Sequence, residues 1–261
     1  AHSLAEMALR AAAPARSFLG RRIGVGHATF EVDEDMARFV QRYIDDLEDL
    51  SRDYGLLVFE QRVAIDGAIG LPAGTCWGTA DAVAFDNGLL QVHDLKYGRG
   101  VEVSAVENEQ MQLYALGMVD ALTLAGAEVN EVQLYIHQPR LGVLSDWSLS
   151  VPDLLAFGEK ARAAGEVALG PDAPYAPGEK ACRFCKAKGS CEALASMAEK
   201  ATAGAFDDLS LAFRLSVAAT LEGWRDAVRA EAMDTLSSGG SVPGWKLVIG
   251  RAGDRAWSDE K

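Results

Sequence analysis

A chain of 261 residues with 49% apolar and 24% charged side chains can close one sizeable core behind a solvated surface. It contains no run of about 18 apolar residues that would mark a membrane span. Its formal charge of −13, from 38 acids against 25 Lys and Arg, excludes global electrostatic attraction as a way to hold nucleic acid. Any such contact needs a local basic track. Arg10, Arg16, Arg21 and Arg22, then Lys96 and Arg99, then Lys180, Arg183, Lys186 and Lys188 are the groups available for one. No secretory signal is visible, and Ala1 leads straight into a helical pattern, so a further segment is expected upstream and another beyond the charged tail.

Residues 2–13 are expected to form a helix, with Leu4, Met7, Ala8 and Ala11 on one side and Pro14 ending it. His2 and Glu6 are one turn apart and share a face. Residues 33–51 form a second amphipathic helix in which Met36, Phe39, Val40, Tyr43, Ile44 and Leu47 oppose a row of acids, and this pattern reads as packing. A strand follows over 56–65. It contains Glu60, whose direction nothing in the sequence fixes.

The next stretch is the most informative. Residues 78–85 and 89–97 are β-branched and apolar, and Asp86-Asn87-Gly88 between them is a strong hairpin signal. With Asn87-Gly88 as a two-residue loop, Asp86 faces Leu89, and counting outward sets Asp81 opposite Asp94. Lys96 points from the same face two residues on. Carboxylates opposed across a strand pair, roughly 5 Å apart at Cβ, repel one another unless something lies between them. A divalent cation such as Mg²⁺ or Mn²⁺ resolves this, because it seeks hard oxygen ligands and is often held by only one or two carboxylates. The Lys96 ammonium would then orient or deprotonate an attacking water, or stabilise charge building on a phosphate. The bland alternative is a solvated face with a cross-strand Lys–Asp pair.

After flexible Gly98-Arg99-Gly100 and an extended link, a helix is expected over 107–125 with Gly126 at its C-terminal end. Gln110 and Tyr114 project together from it. Residues 131–137 form a strand ended by Gln138-Pro139-Arg140, 141–149 an edge strand and 152–168 a helix; the segment 170–178 holds three of the eight prolines and is a loop. Cys182-x2-Cys185-x5-Cys191 places three thiols close together in a loop entering a helix, a spacing that can converge on one metal. An iron–sulfur cluster, a zinc site completed by a histidine, and empty thiols are the three accounts of it. Cys76 is the remaining cysteine and is read as a small buried residue. A long helix over 207–236 ends at Ser237-Ser238-Gly239-Gly240. A strand over 244–249 is expected after it, with Arg251 and Arg255 beyond. Trp245 and Trp257 would either pack or stack on bases. The expected organisation is a core over 1–170 and a cysteine-bearing helical region over 171–261 that packs on the same domain.

Gly78-x-x-Asp81, Asp94-x-Lys96 and Gln110-x-x-x-Tyr114, in this order, resemble the motif series of the PD-(D/E)XK nuclease superfamily in its RecB-like exonuclease branch. Gly78-Thr79-Ala80-Asp81-Ala82-Val83, Asp94-Leu95-Lys96-Tyr97-Gly98 and residues 110–117 are most similar to a phage and prophage family of uncharacterised proteins in that branch. The likeness runs from His2 to the Gly244-Trp245-Lys246 region.

The resemblance implies a restriction-endonuclease-like α/β fold, a mixed sheet flanked by helices. It also implies a metal-dependent deoxyribonuclease that processes DNA ends in phage recombination or repair, in the cytoplasm of a bacterial or phage-infected cell. Asp81, Asp94, the Leu95 carbonyl and His2 would hold Mg²⁺ or Mn²⁺, with Glu6 a helper and Glu60 an additional acid. Lys96 would serve the water, and Gln110 and Tyr114 would contact the substrate backbone or position Lys96. The cysteine triplet resembles that of iron–sulfur members, in which a fourth, distant cysteine completes a [4Fe–4S] cluster. Here Cys76 lies five residues before Asp81 on the expected active-site strand, so the fourth ligand is expected upstream of Ala1. DNA and a phage recombination or annealing protein are the implied partners. A catalytically idle DNA- or protein-binding module of a phage recombination or packaging complex is the alternative.

Overall fold

The computed structural model describes residues 1–248 apart from His27 and Asp207. It divides into two compact units, Ala1–Asp172 and Ala173–Lys261. In the first, helix α1 (His2–Arg10) leads to a small hairpin, β1 (Arg22–Val25) and β2 (Ala28–Glu31), and to α2 (Glu34–Ser51). Then come β3 (Leu56–Ala64), β4 (Trp77–Asp86), β5 (Leu89–Leu95), α3 (Glu109–Leu124), β6 (Glu131–Gln138), β7 (Val143–Ser150) and α4 (Val151–Leu169). The second unit contains α5 (Glu179–Arg183), α6 (Glu192–Thr202) and α7 (Leu211–Ser237). Among the described residues no helix is long and apolar enough to cross a membrane.

The central sheet has the order β3-β4-β5-β6-β7. Every neighbouring pair is antiparallel except β5 and β6, which are parallel and are joined through α3. A parallel pair needs such a crossover, because no tight turn can return the chain to the same end of the sheet. On one face Val83, Leu90, Val92 and Leu134 pack with Met111 and Ala115 of α3 and Leu154 of α4. On the other, Ala82 and Leu95 pack with Leu4 and Ala8 of α1 and Val40, Tyr43 and Leu47 of α2. Burial on both faces makes β5 the centre of the fold.

The helix starts are set by side-chain caps. Asp33 accepts from Met36 N at 2.6 Å, Asn108 from Met111 N at 3.2 Å, Ser150 from Asp153 N at 3.2 Å and Ser210 from Phe213 N at 3.3 Å. Each cap is worth about 1 kcal/mol. The Ser210 cap is why α7 begins at Leu211 instead of at 207. Two further departures from the sequence expectation stand out. The β1–β2 hairpin is almost wholly exposed, so it lacks the alternating apolar pattern by which a strand is recognised. Residues 244–248 form no strand, and Trp245 is 69% exposed. Ile249, Arg251, Arg255 and Trp257 lie outside the described residues.

Candidate active site

The hairpin that carries the acids closes as its turn residues require. Asn87 and Gly88 both take positive φ, 46° and 84°, the backbone of a two-residue turn whose twist matches that of the strands. The ladder runs from Asp86↔Leu89 to Ala82↔His93. One step beyond the last pair stand Asp81 and Asp94.

Asp94 is 4% exposed and is held from two directions. Its Oδ1 accepts from Lys96 Nζ at 3.0 Å and from Gln110 Nε2 at 3.1 Å. Gln110 Oε1 accepts from the same ammonium at 3.2 Å, and Gln110 Nε2 also meets the Tyr114 hydroxyl at 3.1 Å. Lys96, Gln110 and Tyr114 thus form one polar chain against Asp94. Gly78 makes room for it, because a Cβ at that position would run into the Tyr114 ring. Asp94 Oδ2 lies 2.9 Å from Lys96 Nζ, yet it is buried with no hydrogen bond of acceptable geometry.

Asp81 accepts from the Leu95 backbone N–H at 2.6 Å through Oδ2. His2, at the first turn of α1, sets Nε2 2.7 Å from the Leu95 carbonyl oxygen and 3.5 Å from Asp81 Oδ2. Burial pushes the Asp81 carboxyl up to about 6, against the pull of His2 and the Leu95 N–H and with a push from Asp94 and Glu60. Glu60 lies within β3 but drops out of its pairing with β4. Its φ of 48° is left-handed, and the ladder passes from Phe59↔Ala82 to Gln61↔Ala80 around it. Left-handed backbone at a residue other than glycine is costly and concentrates at functional sites.

Glu60 lines a cavity of about 10 Å³ with His2, Glu6, Tyr43, Asp81 and Leu95, enough for one water. Burial, and after it Glu6, raises the Glu60 carboxyl. Glu6 is itself paired with Arg10 at 2.9 Å. Tyr43 is 1% exposed, and its hydroxyl has no partner among the described residues. Burial raises its phenol well above the ordinary range, and Asp81, Asp94 and Glu60 raise it further.

Sequence reasoning took Tyr43 as packing alone. It also missed a buried row on the α2 face of the sheet. Tyr135 OH donates to Gln133 Oε1 at 2.9 Å and Gln91 Nε2 to the same oxygen at 3.1 Å. Gln91 Oε1 meets His93 Nε2 at 3.3 Å, and His93 Nδ1 meets His137 Nε2 at 3.1 Å. His93 stacks on Tyr135 and His137 meets Tyr43 edge-on, with ring centroids 4.8 and 4.9 Å apart. The one available signal was polar residues at alternate positions of two strands whose other positions are apolar.

In the second unit Cys182 lies in α5, Cys185 is exposed just beyond it and Cys191 immediately precedes α6. Among the described residues no three His, Cys, Asp or Glu side chains are grouped closely enough to form a ready-made metal cage. Cys76 sits half-buried against the core at the start of β4.

Fold and site together define a mixed α/β protein in which acids, a lysine and a glutamine gather around the buried Asp94 where the parallel strands β5 and β6 end. The chain belongs to the family described as "Protein of unknown function (DUF2800)", whose model matches residues 1–261. It is also similar to the solved structure described as "Crystal structure of SSO0001", at 13% identity over 60% of this chain and 69% of that one, with a TM-score of 0.30. At that distance nothing is carried over.

Proposed function

We propose that the chain is a metal-dependent DNA nuclease of the PD-(D/E)XK superfamily, in the RecB-like exonuclease branch, that processes DNA ends in phage recombination or repair. The observation that carries the proposal is the convergence of Asp81, Asp94, the Leu95 carbonyl and His2 beside a Lys96 ammonium held by Asp94 and Gln110.

The residues present fit Mg²⁺ or Mn²⁺. Asp94 retains a buried oxygen with no hydrogen bond, and burial raises the Asp81 carboxyl beyond what His2 and the Leu95 N–H offset. Such an ion needs only one or two carboxylates, so the absence of a three-residue cage among the described residues is no obstacle. His2 would join as a ligand with its proton moved to Nδ1. The bound ion would supply a Lewis acid that neutralises phosphate charge.

The chain's own groups supply the rest. The Lys96 ammonium, fixed by Asp94 and Gln110, donates to the attacking water or to the phosphate oxygen on which charge grows as the P–O bond breaks. Gln110 and Tyr114 hold the sugar–phosphate backbone so that the water attacks in line. Glu60, turned into the cavity beside Asp81, is the additional acid. For Cys182, Cys185 and Cys191 the same proposal offers a [4Fe–4S] cluster, with zinc as the alternative. Their spacing alone supports this, and no step is routed through either. DNA is the substrate, and a phage recombination or annealing protein is the proposed partner, in the cytoplasm of a bacterial or phage-infected cell.

The test is degradation of end-labelled linear DNA with Mn²⁺, Mg²⁺ or EDTA by this chain and by Lys96→Ala. Metal-dependent loss of DNA that vanishes in the variant is expected, and the labelled end reports polarity. DNA left intact in every metal, or equal cleavage by the variant, would overturn the proposal and favour an idle binding module.

A further inference from the structure

Where β5 and β6 end side by side, one charged group is left over by the chemistry above. Lys96 N donates to His137 O at 2.9 Å, which ties the two strand ends together, and the turn Gln138-Pro139-Arg140-Leu141-Gly142 follows directly. The Arg140 guanidinium lies over the ring of Tyr97, the residue after Lys96, with its carbon 4.8 Å from the ring centroid, and 5.8 Å from that of Phe39 on α2. Arg38 covers Phe39 as well, at 4.6 Å. Two arginines and two aromatic rings therefore form one patch beside the acid cluster.

Arg140 is one of several arginines with no ion pair among the described residues, Arg42 and Arg62 among them, and is set apart by its place directly beyond the end of β6, against Tyr97 and next to Lys96. Arg10, Arg38, Arg52, Arg99, Arg162 and Arg225 are each paired with a carboxylate. Among the described residues no carboxylate pairs with Arg140, and its Nε is buried without an acceptor. Asp33 and Asp35 act on nearby Tyr97, but Asp33 caps α2 and Asp35 is engaged by Arg38 and Arg99. Lys96, the neighbouring cation, is committed to Asp94.

A guanidinium held over aromatic rings has lost much of its freedom before a bidentate bond to phosphate oxygens forms. The carboxyl ends of parallel strands are where α/β sheets bind ligands. A chain of charge −13 must also draw a polyanion toward Asp81, Asp94, Glu60 and Glu6, and only a local unpaired cation can do so. We propose that Arg140, stacked on Tyr97 and Phe39, anchors a backbone phosphate of the DNA strand beside the phosphate that is cut. This rests on the nuclease proposal.

The experiment is fluorescence anisotropy of labelled DNA with the chain, in Ca²⁺ to suppress hydrolysis, over a range of salt. Arg140→Ala, Arg140→Gln and Arg162→Ala are compared with the unaltered protein. Both Arg140 variants are expected to bind about 10-fold more weakly at every sequence tried and to lower the salt slope by about one, the signature of one lost phosphate contact. Arg162→Ala, which removes a surface arginine already held by Glu159 and Glu166, is expected to bind as the unaltered protein does. Should Arg140→Ala fail to fold, Arg140→Gln decides, because it keeps part of the aliphatic stem and a polar end while removing the charge. Unchanged affinity and slope in Arg140→Gln would overturn the inference while leaving the nuclease proposal standing. Failure of the unaltered protein to bind DNA would overturn both.

Discussion

The two faces of β5 bury polar groups in opposite ways. Toward α2, Gln91 and His93 join Gln133, Tyr135 and His137 in a neutral row whose members mostly satisfy one another. Toward α3, Asp94 meets the charged Lys96 and keeps one oxygen with no hydrogen bond. Neutral groups can be satisfied by their neighbours, and once satisfied they fix one packing arrangement. Buried charges are rarely satisfied so fully, because desolvation costs more than one partner returns. Each row keeps one buried atom without a hydrogen bond, His137 Nδ1 in the neutral row and Asp94 Oδ2 in the charged one, and only the second belongs to a group that a cation could satisfy.

Replacing Asp94 should give the largest effect. Asp94→Asn keeps size and shape, so in EDTA its stability should stay within about 1 kcal/mol of the unaltered protein, while single-turnover cleavage falls by about 10³-fold. A urea midpoint that collapses together with activity would show the charged row to be structural as well, and the contrast would fail.

The neutral row should respond to acid. Burial holds His137 down at about 3, and burial together with His137 holds His93 well below its ordinary value. Both folded-state values lie below the unfolded value near 6.5, so the stability these rings lend is fully present above that pH and is lost as the pH falls. Each ring then costs about 1.4 kcal/mol per pH unit. Between pH 7.5 and 5.5 the two rings together should lose about 2–3 kcal/mol, partly offset by Asp81, which is held near 6 and binds a proton in the folded state over the same range; in urea unfolding in EDTA, His137→Gln should reduce the loss of stability on acidification by about 1 kcal/mol. Equal midpoints at the two pH values would mean that the imidazoles are not kept neutral by burial.

Tyr43 touches both rows, with its ring against His137 and its side chain in the lining of the cavity beside Asp81. Tyr43→Phe removes a buried hydroxyl without a protein partner, so in EDTA it should leave stability unchanged or raise it by up to about 1 kcal/mol. If the hydroxyl serves the charged row through a water in that cavity, the thermal stabilisation by Mn²⁺ should shrink in the variant. A Tyr43→Phe protein less stable in EDTA would place the hydroxyl in the structural row instead.

The charged row was legible in the sequence because each part of it has a local signal. Asn87-Gly88 fixes the hairpin register, and one helical turn sets the spacing of Gln110 and Tyr114. The neutral row was not legible, because Gln133, Tyr135 and His137 alternate with Val132, Leu134 and Ile136, a pattern that ordinarily marks a solvated face, whereas in this fold the polar side is buried as well. Glu60 illustrates a third case. Its inward direction comes from a left-handed backbone within a strand, which no strand pattern reveals. Arg140 follows a proline at the end of a strand, and its isolation from every acid depends on which carboxylates the fold engages elsewhere.

The β5–α3–β6 crossover also sets an order of assembly. Asp81 and Asp94 come together through a hairpin closed by two residues, a short loop that forms on the microsecond scale. Gln110 reaches them only after the chain has travelled through α3, and His2 only when α1 docks from far upstream. Chain closure over such distances is slower and costs more entropy. During folding the two carboxylates therefore face one another before their distant partners arrive, so their mutual repulsion is met early and relieved late.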